Sequence, residues 1–173
     1  MHGHEQALQQ CDEIGGGDVR AHGARGLSAR RSPHDVVEQV RRMVAGENVV
    51  FADLFAEDGV LEYPFALPGQ PHQLRGREAI RAFFGNTPGS RRLFEMDGVD
   101  ALVRDTGDPE VVVTEIEHYG RSTGTGEAYR FRALGVIRVR DGEIVSYQDY
   151  MDPIATARLL GRTADLAAAL ADA

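Results

Sequence analysis

Cysteine is nearly absent from this chain: Cys11 is its only one, so no internal disulfide can form and the reducing cytoplasm is a suitable home. Long apolar runs are missing too. Nothing approaches the roughly 18 consecutive apolar residues of a membrane-spanning helix, and no secretory apolar segment is present, so the chain is expected to stay inside the cell and off the membrane. Positive charge is in short supply, and a formal net charge of -8 opposes binding along a nucleic-acid backbone. The sequence contains no GxGxxG fingerprint, no GxxxxGK[ST] phosphate loop and no GxSxG nucleophile elbow. With Cys11 in a glycine-rich segment, cysteine–histidine catalysis is not expected either. His2, His4 and His22 lack nearby carboxylates or a regular element to fix them, so no metal is expected. If the chain is an enzyme, what remains is acid–base chemistry without a cofactor.

What is present divides near Ser32. Residues 1–31 carry Gly15-Gly16-Gly17, scattered histidines and arginines, and few large apolar residues, a composition expected to leave a disordered arm. The total of 173 residues suits one core rather than two ordinary domains. Ser32-Pro33 is a helix start, and Val36, Val37, Val40, Met43 and Val44 form one apolar stripe that Gly46 ends. A second short helix is expected over 49–55, stopped by a turn at Asp58-Gly59. Residues 60–65 read as a strand in which Leu61, Tyr63 and Phe65 oppose Val60, Glu62 and Pro64. The stretch 66–76, with Pro68, Gly69 and Pro71, reads as a loop carrying His72. Residues 77–84 form a third helix with Ile80, Phe83 and Phe84 on one face.

Strands are expected over 93–103 and 110–119, followed by a serine, threonine and glycine turn over 120–126. The stretch EAYRFRALGVIRVRDGEIVSYQDYMDP, residues 127–153, reads as two long strands joined by a tight turn at Asp141-Gly142. On the second strand, alternation places Val145, Tyr147 and Asp149 on one face and Ile144, Ser146, Gln148 and Tyr150 on the other. Asp149 is thus either at a solvent edge or in a pocket that uses it. On the strand over 110–119, Glu115, Glu117 and Tyr119 share one face, and Thr114, Ile116 and His118 the other. Phe131, Ala133, Gly135, Ile137 and Val139 make the apolar face of the next strand, which leaves Arg130 and Arg132 on its solvated side. Residues 154–171 are helical by their alanines and leucines. Helices at the front and long antiparallel strands behind give an α+β domain over 32–161 with a helical tail over 162–173, in which helices close a curved sheet into a cone around an apolar pocket.

The segments FAEDGVLEYPFA, LRGREAIRAFF, VVVTEIEHYG and RVRDGEIVSYQDYMDP resemble the SnoaL-like branch of the nuclear transport factor 2-like superfamily. That group includes ketosteroid isomerases, polyketide cyclases, limonene epoxide hydrolases and the phenazine-biosynthesis pair PhzA and PhzB. The resemblance implies the cone-shaped α+β fold and leaves the reaction open, because unrelated chemistries share the scaffold. It implies that Asp149 is a pocket acid or base, since the epoxide hydrolase and phenazine relatives carry an acid at the similar position. Tyr63 stands where ketosteroid isomerases carry their proton-shuttling aspartate. Glu115 and Glu117 stand where the epoxide hydrolases carry an arginine and an aspartate, so that charge pair is incomplete.

The expected catalytic set is therefore Asp149, Tyr63, Glu115 and His118, with Tyr147, Glu117, Phe65, Phe83, Phe84, Phe131 and His72 around the ligand. Desolvation beside Tyr147 would move Asp149 toward the proton affinity of a general acid or base, and a tyrosine hydroxyl could steady a developing enolate or alkoxide. The expected ligand is a small hydrophobic metabolite. Isomerase or cyclase chemistry, epoxide opening and ligand binding without catalysis all fit these residues. A homodimer is expected through the outer sheet face, where Leu134, Val136, Ile144 and Tyr150 would otherwise meet water.

Overall fold

Among the described residues, a six-stranded mixed sheet in the order β2-β1-β6-β5-β4-β3 carries four α-helices, with β1 and β6 parallel and every other neighbouring pair antiparallel. The structure is a computed structural model that describes residues 30–86, 94–123 and 126–171. The arm expected over 1–31 falls, up to residue 29, outside the described residues, as do Cys11 and His2, His4 and His22.

Helix α1 (Pro33–Val44) starts as its sequence specifies. Ser32 and Asp35 form a reciprocal capping box, Pro33 occupies the first turn, and Gly46 follows the helix at φ 83°. Val36, Val37 and Val40 are fully buried where α1 packs on β3, β4 and β5, each contributing roughly 1.5–3 kcal/mol through removal from water. The expected second helix is a single 3-10 turn at Phe51–Leu54, which leads straight into β1 (Phe55–Glu62). Asp58-Gly59 is not a turn but lies inside β1, where the register against β6 shifts between Phe55 and Val60. The reason is close approach of backbones: a Cβ on Gly59 would stand 2.7 Å from the carbonyl oxygen of Ile144.

The stretch expected to be wholly loop contains a short strand, β2 (Gln73–Arg75), paired with β1. Helix α2 (Arg77–Asn86) then packs on β1 and the 3-10 turn, burying Ile80. Strands β3 (Phe94–Asp105), β4 (Val111–Ser122), β5 (Ala128–Arg140) and β6 (Glu143–Met151) form a meander. Asp141 and Gly142 make the β5–β6 turn with φ 54° and 85°, the positive values a primed hairpin turn requires. The C-terminal run is not one helix. It divides into α3 (Pro153–Leu159), capped by Asp152, and α4 (Thr163–Ala171), with Gly161 at φ 67° between them.

Strict alternation fails at one place in β6. Val139 pairs with Ile144 but Arg138 pairs with Ser146, so Val145 is an extra, bulged residue. The bulge returns Ile144 to the inner face, where it is fully buried with Phe55 and Val139, and removes it from the outer apolar patch. Beyond the bulge the expected phase holds, and Tyr147 and Asp149 share the inner face. None of the described helices is long and apolar enough to cross a membrane.

Candidate active site

Register assembles the site. Leu61 of β1 pairs in parallel with Tyr147 of β6, so the next inward residues on each chain, Tyr63 and Asp149, come side by side. On the other flank, Asp149 lies opposite Gly135 of β5, and Gly135 lies opposite Thr114 of β4. Thr114, Gly135 and Asp149 thus form one row across the inner face. Gly135 offers no side chain, and the Tyr147 ring occupies the space above it: a Cβ there would stand 2.8 Å from Tyr147 Cε2, 3.2 Å from Tyr147 Oη and 3.0 Å from Thr114 Cγ2.

Asp149 is the unusual group. The residue as a whole keeps partial exposure, but its Oδ1 is sealed from solvent and has no hydrogen-bond partner. Burial pushes its carboxyl up to about 7, because the charged form loses hydration without gaining a partner. Tyr63 and Tyr147 are both buried, and burial, followed by the nearby Asp149 charge, raises both phenols well above their ordinary range. Both are therefore protonated donors at neutral pH. Among the described residues neither hydroxyl has a hydrogen-bond partner. Thr114 Oγ1 is fully buried and equally unpartnered. Native interiors seldom leave such groups orphaned, so Asp149 Oδ1 and Thr114 Oγ1, on one row of the inner face, mark a place built to meet something else.

The positions of the other expected site residues follow. Phe83 on α2 packs against Tyr63 with ring centroids 6.3 Å apart, which puts it at the site. Phe84 is 38% exposed and packs edge-on to Phe51 instead. His72 is exposed, and its contribution is a backbone one: its carbonyl accepts from the Tyr63 amide at 2.8 Å, holding the chain just past β1. Phe65 lies beyond the strand, 59% exposed, and meets Tyr150 edge-on on the outer face.

Glu115 and Glu117 are not brought to Asp149. They project from the outer face of β4, where Glu115 pairs with Arg104 and Arg132, and Glu117 pairs with Arg130 and with Arg132 at 2.8 Å. Arg132 and then Arg130 hold the Glu117 carboxyl below its ordinary range. His118 shares the inner face with Thr114 but stands four residues along β4, about 13 Å away at strand rise. There it packs against Tyr129 and Phe131, with Nδ1 3.1 Å from the Tyr129 hydroxyl, and burial lowers its pKa so that it is neutral near pH 7. Phe131 belongs to this second group.

Two residues of the site escaped the sequence reading. Gly135 had a legible signal, a glycine in the middle of a long β-strand, which marks close approach of another group. Thr114 had none, because a threonine in a strand is ordinary.

Comparison with known proteins agrees with this architecture. The SnoaL-like domain model matches residues 36–147. An uncharacterized PhzA/B-like protein of Pseudomonas aeruginosa is 31% identical over 126 residues, covering 73% of this chain and 87% of that protein. Among solved structures, a candidate isomerase of Bacillus subtilis is 26% identical with a TM-score of 0.62, covering 74% of this chain and 94% of that one. A Catenulispora acidiphila protein with a ketosteroid isomerase-like fold, solved with trimethylamine, shows the same fold at 22% identity and a TM-score of 0.55, covering 78% of this chain and 97% of that one. The inner-face site thus sits in a known scaffold: the chain belongs to the SnoaL-like domain family.

Proposed function

We propose that the protein is an isomerase- or cyclase-type enzyme that moves a proton on a small apolar metabolite by cofactor-independent acid–base chemistry. The observation that carries this reading is the Asp149 carboxyl, one oxygen of it sealed and unpaired, near two protonated phenols. A carboxyl that titrates near neutrality can both take and return a proton at working pH. In the proposed step the Asp149 carboxylate removes a proton from a carbon beside a substrate carbonyl, and the C–H electron pair moves to the oxygen as an enolate. Tyr63 or Tyr147 donates a hydrogen bond to that oxygen as its charge grows. Where a C=C bond is conjugated with the enolate, Asp149 returns the proton to the far carbon as the oxygen's electron pair re-forms the carbonyl; alternatively the enolate carbon bonds to a second carbonyl carbon of the same molecule, whose C=O π pair becomes an alkoxide that takes the proton from Asp149.

The kinship with candidate isomerases supports the class of chemistry, and the apolar surroundings of Asp149 support an uncharged reacting centre. Desolvation accounts for the Asp149 shift, with no cation among the described residues acting on it, which favours this step over epoxide opening by an arginine–aspartate pair. The test is deuterium exchange. Wild-type and Asp149→Asn protein are incubated in heavy water with a panel of cyclic enolisable ketones, and loss of the α-proton NMR signal is followed. Exchange catalysed by the wild type should fall about 100-fold or more in the variant. Equal exchange by both would remove Asp149 from the chemistry.

A homodimer through the outer sheet face belongs to the same proposal. Leu134 is 38% and Phe65 is 59% exposed there, beside Tyr150 and around a surface groove of about 570 Å³. A second copy would cover this apolar patch. Light scattering should return about 38 kDa, twice the 18.9 kDa chain, and a mass of 18.9 kDa at micromolar concentration would count against the pairing.

A further inference from the structure

We infer that Thr114 is a positioning residue: its buried hydroxyl donates a hydrogen bond to the Tyr147 hydroxyl oxygen and so aims the Tyr147 O–H at the substrate oxygen. The proposed proton transfer leaves Thr114 unused. Yet among the described residues Thr114 Oγ1 and Asp149 Oδ1 are the buried side-chain polar atoms without a partner, and Thr114 is the more deeply enclosed of the two residues. Its place on the row Thr114, Gly135, Asp149 puts it on the same inner face as the acid.

The immediate neighbours of Thr114 in the sheet offer its hydroxyl nothing. Its cross-strand partners are Val103 on β3 and Gly135 on β5, and the next inward residues along β4 are Val112 and Ile116, both buried. None of the four has a polar side chain, and the strand backbones bond one another in the ladders. The polar atom is supplied by Tyr147. A Cβ built on Gly135 would stand 3.2 Å from Tyr147 Oη and 3.0 Å from Thr114 Cγ2, so the tips of the two side chains flank one point above the bare glycine. Thr114 presents its methyl there. Hydroxyl and methyl are branches of the same Cβ, and one staggered χ1 step of about 120° turns the hydroxyl toward Tyr147 instead. That step gives a partner to a buried hydroxyl that otherwise lacks one, at no loss to a methyl group that needs none.

The consequence falls on Tyr147, and its catalytic part rests on the acid–base reading of Asp149. Burial keeps the Tyr147 phenol protonated, so it is a donor, but a phenol O–H has more than one direction open to it. A bond accepted from Thr114 occupies one side of the hydroxyl oxygen and turns the O–H away from β4. Linked hydrogen bonds also polarise one another, which strengthens the outer donor as negative charge grows on the substrate oxygen. Gly135 is what lets the two residues meet, because a side chain at that position would stand between them.

The test compares Thr114→Val, which keeps the shape and loses the hydroxyl, with Thr114→Ser, which keeps the hydroxyl and loses the methyl, both in the full-length protein. In the deuterium-exchange assay Thr114→Val should lower kcat about 5- to 10-fold with KM unchanged, and Thr114→Ser should recover most of that loss. A second readout needs no turnover. With tyrosine labelled at Cζ by ¹³C, and the Tyr147 resonance assigned by its loss in Tyr147→Phe, Thr114→Val should move that resonance and Thr114→Ser should leave it in place. A Tyr147 resonance that moves in neither variant, or as far in Thr114→Ser as in Thr114→Val, would overturn the inference. So would wild-type kcat in Thr114→Val where Asp149→Asn has lost exchange. If Asp149→Asn exchanges as fast as the wild type, the acid–base reading has failed, and the resonance alone decides the bond between Thr114 and Tyr147.

Discussion

Gly135 is kept bare by Tyr147: a Cβ on Gly135 would lie 2.8 Å from Cε2 of the Tyr147 ring, closer than real Cβ contacts come. The ring that fills this space carries one of the two phenols beside Asp149, so the glycine shapes the site without touching a ligand. Gly135→Ala should cost about 1–3 kcal/mol by overpacking, read from urea unfolding. Adding Tyr147→Leu should recover part of that loss, because the displaced ring is the source of the strain. A Gly135→Ala protein as stable as the wild type would show that Tyr147 moves aside freely.

Tyr63 tests the division of labour. Its hydroxyl has no hydrogen-bond partner among the described residues, while its ring packs on Phe83 and its amide is anchored to the His72 carbonyl. Tyr63→Phe removes the donor and keeps the packing. Turnover in the exchange assay should fall roughly 10-fold or more with little change in melting temperature. Unchanged turnover would assign Tyr63 to the core alone and leave Tyr147 as the donor.

Burial of Asp149 also sets a pH dependence of stability. Its folded-state pKa of about 7 lies above the unfolded value of about 3.9, so the folded protein holds this proton more tightly. Below about pH 4 the group is protonated in both states and has no effect. From about pH 4 to 7 it destabilises the fold increasingly, and above about 7 the penalty is complete. Asp149→Asn should therefore be more stable than the wild type at pH 8, on the order of 2 kcal/mol given the partial exposure of the residue, and the gain should shrink by pH 5. Urea unfolding at the two pH values checks this, and a gain independent of pH would contradict it.

The parts of the fold that were legible in the sequence are those set by local chemistry. The Ser32-Pro33 start, the valine stripe of α1 and the Asp141-Gly142 turn each follow from a few adjacent residues. The parts that were not legible depend on partners distant in the chain. Asp58-Gly59 has the composition of a turn, yet β6 uses Gly59 as a point of close approach inside a strand. Val145 is bulged because β5 and β6 must fit each other, which single-strand alternation cannot reveal. In the site, alternation placed Asp149 and Tyr147 together and set Thr114 and His118 apart from Glu115 and Glu117. It cannot decide which face of β4 is inward, and the resemblance to the epoxide hydrolases points to Glu115 and Glu117, which the fold turns outward. The arginines that claim them come from both neighbouring strands, Arg104 on β3 and Arg130 and Arg132 on β5.

The most direct measurement of the central claim is the titration of Asp149 itself. Protein labelled with ¹³C at aspartate carboxyl carbons, with the resonance assigned by its loss in Asp149→Asn, would be followed by NMR from pH 3 to 9. A desolvated, unpartnered carboxyl beside two neutral phenols should titrate at about 7. An apparent pKa near the ordinary aspartate value of about 3.9 would show a solvated carboxylate and contradict the acid–base site.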